Sequence, residues 1–386
     1  MRPQDVSTAT PEILTLTITD IARAGAGVAR DEGGRVIFVP YTAPGDRVRV
    51  RITSVEKRYA QGELVELLEA GPARVKAKCE AFTRCGGCQW QHLAYEHQWK
   101  IKSSGVRYAL ERMQVGLPQE LKDQWDEFPA EKIWEYRNRV QLRGKGTSMG
   151  FFTAGTNDLV SVTRCEIARP EILADWESIR REGERRDRPY KVEVEVLDDK
   201  TLRHTWNSAH GASGFRQVHD EQNTKLKNWV FDRLKTQGGE PPRVIDLYGG
   251  SGNLSLALSQ SGSQVECVDT GSPTSPPPGT PSGMRFHRAS VLSWLLRRAQ
   301  SGEKANQAIL DPPREGLGQD FHEMVRCLEA IGVTELIAVG CDPDGWARDV
   351  SRYLKRGWTW QRAAVLDFFP QTPHVESAGY FTRTPV

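Results

Sequence analysis

Long apolar runs are missing from this chain of 386 residues: no stretch approaches the 18 to 20 consecutive apolar residues that a bilayer-spanning helix needs. The polar start, Met1 to Pro11, has no signal-peptide apolar region, so a cytoplasmic, reducing location is expected, with no membrane partner. A large excess of one charge is missing as well. Lys and Arg number 52 against 50 Asp and Glu. That balance excludes a highly basic tail-like binder but not an enzyme of nucleic acids, because a local patch matters more than the sum. Cysteine is scarce. Seven are too few for a disulfide-stapled scaffold of this length, and an odd number leaves one outside any set of pairs. In a reducing compartment, clustered cysteines more often mean metal or catalysis than disulfides. What the chain does have is length for two to three domains and a 38% hydrophobic fraction, enough for a sizeable core.

Residues 1–10 read as a disordered leader. From Glu12 to about Leu68, short alternating segments separated by Gly, Pro and Asp turns predict a small β-barrel. Alternation sets Arg47, Arg49 and Arg51 on one strand face, with Lys57 and Arg58 close by and only Asp46 and Glu56 opposing. Such a face suits a phosphate backbone, or else is an edge strand defended by charge. The block that opens at Pro72 carries three cysteines and then a helix, Tyr95 to Met113, with Lys100, Lys102, Arg107 and Arg112. "IWEYRNRVQLRGKG" follows as a strand with alternating Arg137, Arg139, Arg143 and Lys145, and then a hairpin ends at Cys165. The linker "QGGEPP" at 237–242 is the clearest boundary. Beyond Arg243 strands and helices alternate, which predicts a mostly parallel sheet covered by helices. The segment "TGSPTSPPPGTPSG" at 270–283 is loop or disorder, since prolines at that density prevent a helix.

Four constellations carry chemistry. Cys79, Cys85 and Cys88 form C-x5-C-G-G-C, with Cys165 far downstream. Four thiolates suit tetrahedral zinc or a cubane iron–sulfur cluster, and a single C-x2-C pair leans toward the cluster. Gly86 and Gly87 would let the backbone bend around a bulky group. "VIDLYGGSGNLSLAL" is a strand, an acidic residue, a glycine turn and a helix, the pattern of a nucleotide-cofactor pocket. Asp246 would repel a pyrophosphate and favours the sulfonium of S-adenosylmethionine, while Asp269 ends the next strand, where it could accept ribose hydroxyls. "AILDPPREG" holds Asp311 at a strand end ahead of two rigid prolines, with Arg314 ready for a phosphate or a carboxylate. Cys341 follows an apolar strand and precedes a helix start that could lower its pKa, and Glu376 is the natural proton acceptor. Cys267 and Cys327 read as inert core residues.

These motifs resemble the RNA 5-methyluridine (uracil-C5) methyltransferase family, in its iron–sulfur, TRAM-domain-containing 23S ribosomal RNA branch. The N-terminal segment is similar to a TRAM domain, "SGFRQVH" to the segment whose Gln contacts the methyl donor, "DLYGGSGNLSL" and "DPPREG" to two methyltransferase motifs, "GCDP" to the catalytic-cysteine motif and "HVE" to the general-base segment. The resemblance implies a multidomain α/β protein: leader 1–10, TRAM barrel 11–70, a central α+β iron–sulfur domain 71–210, and a Rossmann-like catalytic domain 211–386. It implies a [4Fe-4S] cluster on Cys79, Cys85, Cys88 and Cys165, and S-adenosyl-L-methionine beside Gln217, Tyr248, Asp269 and Asp311. It implies Cys341 as nucleophile on C6, Glu376 as general base and Asp311 positioning base and cofactor, in a monomer acting on structured RNA. Flipping a base out costs least in a loop. The same chemistry on transfer RNA is one alternative, and a non-catalytic RNA-binding or RNA-folding protein with an altered donor pocket is another. Departures are Gly249 where the family has Cys, Asp342 where it has Asn, the proline-rich stretch where a helix is usual, and no acidic residue near Ala289.

Overall fold

The computed structural model describes residues 12–115, 125–208, 216–235 and 239–384. The expected leader, the first two residues of the 237–242 linker and the start of "SGFRQVH" lie outside the described residues. The chain divides into two compact units: 1–101 with 148–166 and 371–373, and 102–147 with 167–370 and 374–386.

The first unit opens with strands β1 (Ile13–Thr17), β2 (Asp20–Ile21), β3 (Gly27–Arg30), β4 (Val36–Val39), β5 (Arg47–Val55) and β6 (Tyr59–Glu69) in one sheet of order β1-β5-β6-β4-β3-β2. Its core is the inward half of the alternation, including Leu16, Ile37, Val39, Val48 and Val50. Asp46 is wholly buried and accepts from the Arg74 guanidinium at 2.6 Å and from the amides of Ala43 and Gly71. Burial alone would raise its pKa; Arg74 and the two amides hold it below the usual range.

Helix α1 (Tyr95–Arg112) carries the chain onward to β7 (Trp125–Phe128) and β8 (Arg139–Lys145); β9 (Ser148–Phe152) and β10 (Leu159–Ser161) form the hairpin before Cys165. Short helices α2 (Pro170–Ala174) and α3 (Trp176–Glu184) lead to β11 (Tyr190–Val196) and β12 (Leu202–Trp206). β11 pairs antiparallel with both β8 and β12.

After α4 (Asp220–Leu234) the α/β rhythm is β13 (Arg243–Leu247), α5 (Leu256–Gln260), β14 (Gln264–Asp269), β15 (Met284–Arg288), α6 (Val291–Ser301), β16 (Gln307–Leu310), α7 (Phe321–Ala330), β17 (Glu335–Gly340), α8 (Pro343–Lys355), β18 (Thr359–Leu366) and β19 (Glu376–Thr382). These strands and β7 make one sheet, β15-β14-β13-β16-β17-β19-β18-β7. β13 to β17 are parallel; β19 is antiparallel to both β17 and β18. Val244, Val265, Ile309 and Ile337, on one face of the sheet, join Leu226 and Trp229 of α4 in the core. Among the described residues no helix is long and apolar enough to cross a membrane.

The expected basic face on β5 is corrected. Arg47, Arg49 and Arg51 do project outward, but each meets a glutamate of β6: Glu69 at 2.9 Å, Glu66 at 3.1 Å and Glu63 at 3.5 Å. The acidic alternation of "GELVELLE" places opposite charges directly across the ladder. Other basic residues are likewise engaged. Lys102 is fully buried against Asp367, Arg107 meets Glu127, Arg112 meets Asp344, and buried Arg139 meets Glu193.

Candidate active site

The sheet order reverses at β13 and β16, which are neighbours although the chain leaves them in opposite directions. A crevice at the carboxyl ends of parallel strands, at such a switch point, is where this architecture binds ligands. Asp246 lies in β13 and Asp269 ends β14; Asp311 directly follows β16.

Asp246 is wholly buried. Ser255 Oγ donates to its Oδ2 at 2.5 Å, while Oδ1 has no partner among the described residues. Burial, together with the charges of Asp311 and Asp269, pushes its pKa up to about 7 against the Ser255 hydrogen bond. Asp311 is also pushed up to about 7, by burial and then by Asp269. Three carboxylates so arranged would repel one another unless a cation joins them.

Tyr248 turns the chain after β13 in a left-handed conformation, φ +61°, a strained state for a non-glycine residue. Its amide donates to Val268 O at 2.9 Å and its hydroxyl reaches the Met324 sulfur at 3.6 Å. Gly249 has no room for a side chain: a Cβ would stand 2.6 Å from Asp246 Oδ2 and 2.7 Å from Cys267 Sγ. The departure from the family's cysteine at this turn therefore has a physical basis, because Cys267 of the neighbouring strand fills that space. Gln217 is buried, and its carbonyl accepts the Asn138 side-chain amide at 2.9 Å. Among the described residues, no hydrogen bond joins its side chain to the three carboxylates.

The 270–283 segment is loop, as its prolines require. Its start is fastened beside the pocket. Gly271 N donates to Asp269 Oδ1 at 2.5 Å, Ser272 Oγ to Gly250 O at 3.2 Å, and Ala289 N to Asp269 O at 3.2 Å. Ser272 is wholly buried, and nothing in its sequence context marked it.

Strand direction brings the last pair together. β19 runs antiparallel to β17 with Ser377 opposite Gly340, so its first residue, Glu376, arrives at the end of β17 that Cys341 follows. Glu376 is 5% exposed and its Oε2 has no partner among the described residues. Its pKa is raised well above the carboxylate range by burial and by Asp311, with Arg314 opposing. The Cys341 thiol is pushed up to about 12 by burial first, then Glu376 and Asp311, again with Arg314 opposing. This reverses the expectation that the following helix lowers it. At the start of α8, Gly345 N is taken by the Asp342 carboxylate at 2.8 Å, so Asp342 caps the helix. Cys267 and Cys327 are buried, as expected of core residues.

The other four cysteines belong to the first unit, all half-buried and unpaired as disulfides. Gly86 N donates to Phe152 O at 2.9 Å, and a Cβ on Gly86 would stand 2.8 Å from Ala154 N. The glycine thus lets the loop dock on the β9–β10 hairpin whose exit carries Cys165. Burial pushes the Cys88 thiol up to about 12, and Cys165, Cys85 and Cys79 each add to the rise. Among the described residues no three His, Cys, Asp or Glu side chains are grouped so as to hold a single metal ion.

The TRAM domain family matches residues 11–65, and the family described as tRNA (Uracil-5-)-methyltransferase matches residues 301–384. An uncharacterized RNA methyltransferase of Bdellovibrio bacteriovorus is 29% identical, with 94% of this chain and 93% of that one covered. A 23S rRNA (uracil(1939)-C(5))-methyltransferase of Chromohalobacter salexigens is 29% identical, with 95% and 89% covered. Among solved structures, the Pyrococcus abyssi tRNA (uracil-54, C5)-methyltransferase in complex with S-adenosyl-L-homocysteine shares the fold, with a TM-score of 0.71 at 20% identity, over 96% of this chain and 100% of that one. A TRAM domain ahead of a parallel sheet whose switch point gathers acidic residues, ending in a uracil-5 methyltransferase segment, has one reading: the chain belongs to the S-adenosyl-L-methionine-dependent RNA uracil-C5 methyltransferases that carry a TRAM domain.

Proposed function

We propose that the chain forms 5-methyluridine in 23S ribosomal RNA through a covalent adduct on Cys341, with Glu376 as general base. The observation that carries this reading is the approach of Cys341 and Glu376 at the carboxyl end of β17, with Asp311 and Arg314 both in electrostatic reach. The Cys341 thiolate adds to C6 of an extruded uracil, which gives C5 the enolate character that methylation requires. Glu376 then takes the C5 proton, and the electron pair expels Cys341. A carboxyl group buried away from water is suited to that single proton transfer. S-Adenosyl-L-methionine, when bound, supplies the methyl group on a sulfonium cation. Gln217, Tyr248, Asp269 and Asp311 would hold it, and its charge would relieve the repulsion among Asp246, Asp269 and Asp311.

Cys79, Cys85, Cys88 and Cys165 would hold a [4Fe-4S] cluster. The donor chemistry fits: Cys88 senses the charges of Cys165, Cys85 and Cys79, and four cysteine thiolates are the usual ligand set of such a cluster. The ribosomal substrate is favoured by the relatives matched along nearly the whole chain. A transfer RNA substrate is the second reading, favoured by the solved structure that shares the fold over the full chain. Mass-spectrometric mapping of 5-methyluridine in cellular RNA with and without the gene separates them. Loss from one ribosomal position supports the first, loss from transfer RNA the second, and loss from neither contradicts both.

A further inference from the structure

Arg314, four residues after β16, and His374, two residues before β19, meet near the carboxyl ends of β16 and β17. Arg314 Nη2 lies 3.2 Å from His374 Nδ1 and 3.3 Å from Nε2. An atom that close to both ring nitrogens, if it lay in the ring plane, would overlap the carbon between them. That guanidinium nitrogen therefore lies over the face of the imidazole, out of its plane. Phe369 meets the same ring edge-on, with centroids 5.9 Å apart at 76°. Its backbone carbonyl is fixed in turn by buried Lys102, which donates to it at 2.9 Å and to Asp367 at 2.7 Å.

Burial pushes the His374 pKa down to about 4, and Arg314, Lys102 and Arg137 lower it further against Asp342. The ring is uncharged at neutral pH and so attracts a planar cation instead of repelling it. Arg314 is also the positive group that opposes the upward shifts of both Cys341 and Glu376.

We propose that His374 is a positioning residue: its imidazole face is the platform on which Arg314 stacks, and the stack aims the guanidinium at Cys341 and Glu376. The proposal rests on the reading of Cys341 as nucleophile and Glu376 as base. A phenylalanine keeps the flat face and drops both nitrogens; alanine and asparagine remove the face.

The test compares H374F, H374A and H374N, alongside C341A, in single-turnover and steady-state methylation of an RNA substrate. Alkylation of Cys341 in the ligand-free protein is followed in parallel. H374F is expected within about 3-fold of the unsubstituted enzyme, while H374A and H374N lose about 10-fold in kcat with little change in KM for RNA. In those two the acid limb of the kcat profile moves to higher pH and Cys341 alkylates more slowly; in H374F neither changes. If H374F is as impaired as H374A, a ring nitrogen does the work and the proposal is overturned. Unimpaired H374A overturns it as well. Turnover by C341A would instead defeat the underlying reading.

Discussion

A thiol held at about 12 has a measurable consequence before any substrate is present. Relative to the ordinary value of 9.0, burial and the two carboxylates lower the Cys341 thiolate fraction at neutral pH about 1000-fold, since each pH unit is tenfold. Iodoacetamide attacks the thiolate, so labelling of Cys341 in the ligand-free protein should be slow at pH 7. Its rate should climb about tenfold per pH unit through pH 10 without levelling. Quantifying the Cys341 peptide by mass spectrometry isolates this site from the other six cysteines. Arg314→Met should slow labelling further, because the Arg314 charge lowers this pKa. A rate that levels between pH 7 and 9 would refute the reasoning, as would an unchanged rate in R314M.

The remaining predictions concern the supports around that thiol. Lys102 and Asp367 are fully buried on both sides, so K102M should lose about 3–5 kcal/mol in denaturant unfolding, while K102M/D367L loses less. Asp246 and Asp311 both sit at about 7, so binding of the sulfonium donor should strengthen relative to its uncharged thioether product as pH rises through 7, by calorimetry. Asp46 is held below its unfolded value of 3.8, so its contribution to stability is complete above that pH and is lost on acidification. Acid unfolding of D46N should lack that component.

Much of the fold was legible because apolar alternation and glycine turns are local signals. The helix expected over Tyr95 to Met113 forms as α1, Tyr95–Arg112, and the short N-terminal strands and the parallel sheet follow their patterns. Cys341 and Glu376 were legible through short motifs at strand ends. Their meeting was not, because it depends on β19 running antiparallel beside β17, which no local pattern encodes. The basic residues misled for the same reason. Arg47, Arg49 and Arg51 carry no mark of Glu69, Glu66 and Glu63 across the ladder, and Lys102 reads as a helix-surface lysine until Asp367, 265 residues away, closes on it. Gly86 was read as room for a cofactor, whereas its missing Cβ is needed by the backbone of Ala154. The direction of the Cys341 shift is not legible because a helix start is visible in sequence, but burial and the approach of Glu376 and Asp311 are not.

The central claim is a covalent uracil-C5 methyl transfer on Cys341. Its most direct measurement is nucleoside mass spectrometry of RNA incubated with purified protein and S-adenosyl-L-methionine, with a denaturing gel for protein–RNA adducts. The account predicts 5-methyluridine with the unsubstituted protein, none with C341A, and with E376Q an adduct that accumulates because C5 cannot lose its proton. Formation of 5-methyluridine by C341A, or a methyl group on any other atom of the base, would contradict it.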